Sequence, residues 1–315
     1  MVPTCGGGVE WSRYSKKGTA VPPLPNLTVE RVSEIIAEAS DVAYVAAGGM
    51  KRVYKGTIGG TTYALKFTEG PDTEGDLEDF ENTDTAIRAK REVETMRECD
   101  CPHMVKLGPI GLTFVEFDGQ RLIYFTEEFV DGKDLKMILR EHGRLLPADV
   151  IRLGLHIGRA IDALWKMEKI HRDIKPANVM CRTSNGDFVL LDAGLVFDLG
   201  AETVSVGPVG TRPYFSPEQF DFSNRRTVMD FRSDLFSLGV TMYEMLTGVH
   251  PFWEQGDSLA SLYNKIVTMP AQPPQERCEV PDELNEIILR LLGKSPHLRY
   301  RRCEMLLDAL EKISS

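Results

Sequence analysis

The chain changes texture about two-fifths of the way along, and that change restricts the folds open to it. From about residue 41 to 128 short β-branched and aromatic runs alternate with turn signals. Val53-Tyr54-Lys55-Gly56 and Thr61-Thr62-Tyr63-Ala64-Leu65-Lys66-Phe67 flank Gly59-Gly60, the pattern of a two-residue hairpin. A helix is expected from Thr85 to Arg97, with Ile87, Val93 and Met96 inward. After about residue 134 the pattern is helical, over 148–168, 232–247, 282–293 and near 302–313. Strands first and helices second imply two lobes rather than an alternating α/β sheet.

The remaining segments carry weaker signals. Residues 1–26 are rich in Gly, Pro and Ser and read as an irregular extension, after which Thr28 caps a short helix carrying Val29, Val32, Ile35 and Ile36. Residues 69–84 hold eight acidic side chains and no basic one, the composition of a solvated loop. A net charge of −10 argues against nucleic acid or an anionic membrane as partner. No apolar run approaches the ~18 residues of a membrane span. The six cysteines are too scattered for a disulfide framework, so a reducing, cytoplasmic setting is expected. Cys99-Asp100-Cys101-Pro102-His103 has the look of a metal cluster but lacks a second ligand pair.

The chemistry concentrates in His171-Arg172-Asp173-Ile174-Lys175-Pro176-Ala177-Asn178, followed by Asp192-Ala193-Gly194. A carboxylate, a cation and an amide stand at fixed offsets, with a second carboxylate fourteen residues past the amide. The set suits phosphoryl transfer: a base for a hydroxyl proton, a cation for the moving phosphate, and an Asn–Asp pair for metal ions. Five specified residues at such offsets arise by chance in a chain this long with odds of about 10⁻⁴.

The stretch resembles the H-R-D-x-K-x-x-N catalytic loop of the eukaryotic-like serine/threonine protein kinase family. That resemblance covers about residues 43–313 and implies an α+β fold of two lobes. The N-lobe, 41–128, would be a small antiparallel β-sheet plus a helix, the C-lobe, 129–315, larger and mainly helical, and residues 1–40 an extension with a short helix. It implies Asp173 as catalytic base, Lys175 beside the transferring phosphate, and Asn178 and Asp192 as ligands for Mg²⁺, or Mn²⁺ in its place. Lys66 in Ala64-Leu65-Lys66 would hold ATP phosphates and pair with Glu92, with Glu94 the competing partner.

Around the nucleotide, Val53, Ala64 and Met180 would sandwich adenine, Glu128 and Val130 would bond it through backbone, and Asp134 would reach the ribose. The residue preceding the hinge is Glu127, turned toward a cation, or Thr126 if the register slips by one. The expected glycine-rich lid becomes Ala46-Ala47-Gly48-Gly49-Met50-Lys51-Arg52-Val53, in which Gly48 alone survives and Lys51 or Arg52 adds charge near the phosphates. Asp192-Ala193-Gly194 lacks the family's aromatic, which puts in doubt the packing that couples this motif to the Glu92 helix.

Cys101-Pro102-His103-Met104-Val105-Lys106-Leu107 matches a structural segment of the family, an alternative to a metal site. Asp234 in Arg232-Ser233-Asp234 would support the catalytic loop, and Arg299 would pair with Glu218 of Ser216-Pro217-Glu218. Thr203 and Ser205 are candidate autophosphorylation sites near Arg172, or solvated loop residues, while Thr211 would contact Asp173 and Lys175. Lys175 resembles the Ser/Thr branch, so a protein hydroxyl is the expected acceptor. The alternatives are a pseudokinase acting as an ATP-binding scaffold, favoured by Ala193 and the glycine-poor lid, and a small-molecule kinase, opposed by the Ser216-Pro217-Glu218 segment.

Overall fold

The computed structural model describes residues 27–48, 51–69, 83–193, 197–198, 212–220 and 229–314. The candidate autophosphorylation residues Thr203 and Ser205, as well as Thr211, the extension over 1–26 and most of the acidic run at 69–84, lie outside these.

A five-stranded antiparallel sheet, ordered β1-β2-β3-β5-β4, forms the first lobe. Its strands are β1 (Ser40–Gly48), β2 (Lys51–Ile58), β3 (Thr61–Glu69), β4 (Thr113–Phe117) and β5 (Gln120–Glu128). Gly59 and Gly60, with φ of 57° and 83°, make the tight β2–β3 turn. That turn pairs Ile58 with Thr61 and carries the register back to Lys51 opposite Thr68. Side chains alternate across a strand, so Lys51, Val53, Ala64 and Lys66 share one face. The β3–β5 register, with Ala64 opposite Glu127 and Lys66 opposite Phe125, adds Glu127 and Phe125 to that face.

The other face of the sheet is covered by α1 (Val29–Ile35). Thr28 caps this helix by accepting from the Arg31 N–H, and Val32 and Ile36 pack with Tyr54, Leu65 and Phe67. The Tyr54 hydroxyl donates to the Leu27 carbonyl and ties the helix to β2. Helix α2 (Asp84–Glu98), capped by Thr83, buries Ala86, Ala89, Glu92, Val93, Thr95 and Met96. Ile87, expected inward, is only half-buried because the inner face is set by Ala86, Ala89 and Val93, one helical turn apart.

The second lobe is mainly helical. It contains α3 (Leu135–His142), α4 (Pro147–Lys166), the short α5 (Pro217–Phe220), α6 (Phe231–Thr247), α7 (Leu259–Thr268), α8 (Asp282–Leu291) and α9 (Cys303–Ser314). A small sheet of β6 (Gly132–Asp134), β8 (Val179–Arg182) and β9 (Phe188–Leu190) lies beneath the interlobe strand β5, and β7 (Lys169–Ile170) leads into the chemical loop. At Gly132 a Cβ would lie 1.9 Å from the Cys181 carbonyl oxygen, so only glycine lets β6 approach β8. Helix α6 is buried along nearly its whole length, α4 and α8 pack against it, and α9 packs on α4.

One buried ion pair joins distant parts of this lobe. Arg299 meets Glu218 in a two-pronged contact, Nη1 to Oε1 at 2.6 Å and Nη2 to Oε2 at 3.0 Å. Its other N–H groups donate to the carbonyls of Arg232, Gly293 and Lys294. Ser233 Oγ also donates to Glu218 Oε1 at 2.7 Å. Removing one partner strands a buried charge, which costs about 3–5 kcal/mol. Glu218→Gln should therefore lower the unfolding free energy in urea by an amount of that order; a change within error would mean that the pair adds nothing.

Candidate active site

The loop after β7 is held from below by one carboxylate. Asp234, in the first turn of α6, accepts the His171 N–H at 2.7 Å through Oδ2 and the Arg172 N–H at 2.8 Å through Oδ1. Arg172 adopts a left-handed φ of 66°, a conformation that non-glycine residues take only where their surroundings enforce it. Burial pushes the Asp234 carboxyl above its ordinary range, and the two backbone donors and the neighbouring His171 and Arg172 work against that rise. The His171 ring completes the frame. Its Nδ1 accepts from the Asp173 N–H at 3.3 Å, which leaves Nε2 as the donor to the Leu191 carbonyl at 3.1 Å.

Within this frame Asp173 is buried and its Oδ2 accepts from Lys175 Nζ at 2.7 Å and Asn178 Nδ2 at 3.0 Å. The Asn178 amide also donates to the Asp173 carbonyl at 2.9 Å. With Nδ2 facing Asp173, the Asn178 oxygen is directed elsewhere in the site. Gln219, a residue not singled out in the sequence, donates from Nε2 to the Arg172 carbonyl at 3.0 Å and accepts the Ser216 N–H at 2.9 Å through Oε1. It locks the segment at 216–218 to the loop. Its position one residue past Glu218 was its only sequence signal.

On the sheet side the geometry departs from a single Lys–Glu pair. Lys66 Nζ lies 3.1 Å from Glu92 Oε1 and 2.8 Å from Glu127 Oε2, and all three side chains are buried. Lys51 Nζ reaches the other Glu92 oxygen, Oε2, at 2.6 Å and Asp192 Oδ1 at 2.7 Å. Glu92 is thus the partner of Lys66, and Glu94 is exposed on α2. Glu127 turns toward a cation, so it takes the place before the hinge. Thr126 points the other way and bonds the Ile110 backbone through Oγ1.

Burial opposes the charge on both ammoniums, but nearby carboxylates outweigh it and hold both pKa values above the ordinary lysine range. For Glu127 burial wins: it pushes the carboxyl up to about 7, although Lys66 pulls the other way.

The residues expected around adenine come from β2, β3, β5, β8 and the segment after β5. Ala64 is buried on the shared sheet face, and Val53 is beside it. Val130 packs with Phe125 and Val93, and Met180 lies against that cluster. The Glu128 N–H donates to the Lys106 carbonyl at 2.8 Å, its carboxylate pairs with Arg182 at 2.6 Å, and its backbone lies opposite Tyr63 of β3. Gly48 closes β1 opposite Lys51. Asp134 Oδ1 caps α3 by accepting the Met137 N–H at 2.6 Å.

The protein kinase domain family matches residues 42–309. The chain belongs to this family. A probable serine/threonine-protein kinase of Clostridium perfringens is 31% identical over 275 residues, 85% of this chain and 37% of that protein. PknB of Bifidobacterium longum, also named a probable serine/threonine-protein kinase, is 33% identical over 267 residues, 81% of this chain and 36% of its own length. The serine/threonine-protein kinase PknE of Mycobacterium bovis is 32% identical over 264 residues, covering 82% and 43%. The chain therefore spans well under half the length of these curated relatives.

In kinase terms, a divalent metal has a fitting donor set in the Asn178 amide oxygen and the Asp192 carboxylate, both hard oxygens. Two protein ligands suit Mg²⁺, which keeps waters and takes phosphate oxygens for the rest. Asp192 holds a left-handed φ of 61°, a constrained backbone at the point where the carboxylate enters the cleft. The Cys99–His103 segment has a structural use: His103 stacks on His156 with ring centroids 3.9 Å apart and bonds the Phe188 carbonyl through Nδ1. Among the described residues no helix is long and apolar enough to cross a membrane.

Two outcomes test this frame. Asp234→Asn places an amide N–H₂ against a backbone donor, so phosphotransfer should drop and stability fall by about 1–3 kcal/mol. Unchanged turnover and unfolding would remove Asp234 from the frame. Glu127 gives a pH signature. A carboxyl raised in the folded state adds stability below its ordinary pKa and loses it as pH climbs through about 7. The stability difference between parent and Glu127→Gln should therefore shift against the parent from pH 5 to pH 8; a pH-independent difference in melting temperature contradicts the burial of Glu127.

Proposed function

We propose that the chain is the catalytic domain of a serine/threonine protein kinase, moving the γ-phosphate of ATP to a hydroxyl of a protein substrate. The observation that carries this reading is Asp173, a buried carboxylate fixed by Lys175 and Asn178 on a loop held by Asp234. The Asp173 carboxylate receives the proton as the substrate oxygen bonds to phosphorus and the bond to ADP breaks. Lys175 accompanies the transferring charge. Lys66, fixed by Glu92, puts positive charge on the phosphate side of the cleft.

Asn178 and Asp192 would hold Mg²⁺, or Mn²⁺ in its place, whose contribution when bound is to neutralise phosphate charge. Val53, Ala64 and Met180 would enclose adenine, with Glu128 and Val130 offering backbone groups and Gly48 in the lid above. The lobes would divide at 128/129, with 1–40 as an extension, and a soluble cytoplasmic setting fits the composition.

Autophosphorylation at Thr203 and Ser205 is part of the same reading. Burial and the nearby Arg91 and Arg88 cations lower the Arg172 guanidinium to about 10, against the pull of Asp234. Three cations so placed favour a phosphate as their counter-ion.

The test is phosphotransfer from labelled ATP to a generic protein acceptor. Asp173→Ala should lose about 10²–10⁴-fold in turnover while still binding nucleotide. Equal turnover in parent and variant would remove Asp173 from the reaction, and nucleotide binding with no turnover in either would leave only a nucleotide-binding scaffold.

A further inference from the structure

Two lysines compete for the role of phosphate ligand, and their surroundings differ in what it costs to move each. Lys66 lies between Glu92 and Glu127, side chains 1% and 4% exposed, and is itself 7% exposed. Drawing Lys66 toward a nucleotide strands Glu127, a buried carboxylate whose only ion-pair partner among the described residues is this lysine. Lys51 is 25% exposed and reaches the cleft from β2, where the family's lid would have a glycine. When Lys51 lets go, Glu92 keeps Lys66, and Asp192, 37% exposed, turns to water or to a metal ion. A metal ion at Asp192 would compete with the Lys51 ammonium for that carboxylate's charge and so loosen Lys51 on the side where phosphates would enter.

We propose that Lys51 is the principal phosphate-binding ammonium of this kinase, while Lys66, held by Glu127, chiefly anchors the Glu92 helix to the sheet. This rests on the ATP-dependent reading above and assigns a residue within it. The flexible four-carbon stem of lysine lets Nζ swing between the carboxylates and the phosphates. Glu127 sets the division of labour, because it gives Lys66 a second carboxylate and lowers the positive charge left to face a nucleotide.

The experiment is equilibrium titration with the fluorescent nucleotide mant-ADP, with Mg²⁺ and with chelator, each variant first checked for a native unfolding transition. Lys51→Met should weaken binding by about tenfold or more, the scale of one lost hydrogen bond to a charged group. Lys51→Arg, which keeps the charge, should stay close to the parent. Lys66→Met should lose less affinity than Lys51→Met while lowering the melting temperature more. Glu127→Gln in the Lys51→Met background should recover part of the binding by freeing Lys66. Lys51→Met binding like the parent, or Lys66→Met losing the larger share, overturns the proposal. A parent that binds no mant-ADP overturns the ATP reading and the Lys51 assignment together, whereas parent binding with the reverse order of variants overturns the assignment alone.

Discussion

The buried carboxylate of Glu92 holds together four parts of the cleft that are otherwise independent. Its Oε1 takes Lys66 from β3 and its Oε2 takes Lys51 from β2, and through Lys51 it is joined to Asp192 of the second lobe. A carboxylate has enough lone-pair sites to accept both ammoniums without either bond displacing the other. The position of α2 is thus set by charge as well as by the packing of Ala86, Ala89, Val93 and Met96. In a low-dielectric setting such a network is costly when incomplete, which ties the geometry of any one member to that of the rest.

The second lobe solves a different problem. A loop carrying Asp173 has to stand proud enough to meet a substrate yet keep its backbone groups satisfied. Asp234 does this from the buried helix α6, Gln219 from the segment after Ser216, and the His171 ring from within the loop. Glu218 and Arg299 then bind that segment to the far end of the lobe, with Ser233 of α6 sharing Glu218 Oε1. Asp234 and Ser233 are adjacent, so one helical turn serves both the loop and the ion pair. The Asp173 carboxylate is held in place because the pieces beneath it are cross-linked by buried charge.

How much of this was legible in the sequence depended on the distance over which the information was stored. Helix starts at Thr28 and Thr83 and the Gly59-Gly60 turn are local signals, and the two-residue turn alone fixes Lys51 and Lys66 on one face. The loop and its supports were legible through spacing: Asp173, Lys175 and Asn178, then Asp234, and Glu218 with Arg299. The partner of Glu127 was not, since it depends on how β5 pairs with β3, a register set by non-local contacts. The capping of α3 by Asp134 was equally hidden, since an Asp ahead of an apolar helix suits both a cap and a ligand. Lys51 was expected near phosphates, but nothing in its spacing pointed to the two carboxylates it joins.

The loss of the large aromatic at Ala193 bears on that last point. In the family resemblance, the aromatic couples the metal-binding carboxylate to the Glu92 helix through apolar packing. Ala193 is fully buried within the core of the second lobe and brings no ring to that packing. Lys51 makes the connection in another currency, 2.7 Å to Asp192 and 2.6 Å to Glu92. Apolar packing tolerates small displacements and is indifferent to ions, whereas a bridging ammonium is open to competition from any other cation at Asp192. The coupling between the lobes in this chain is therefore sensitive to what binds at Asp192.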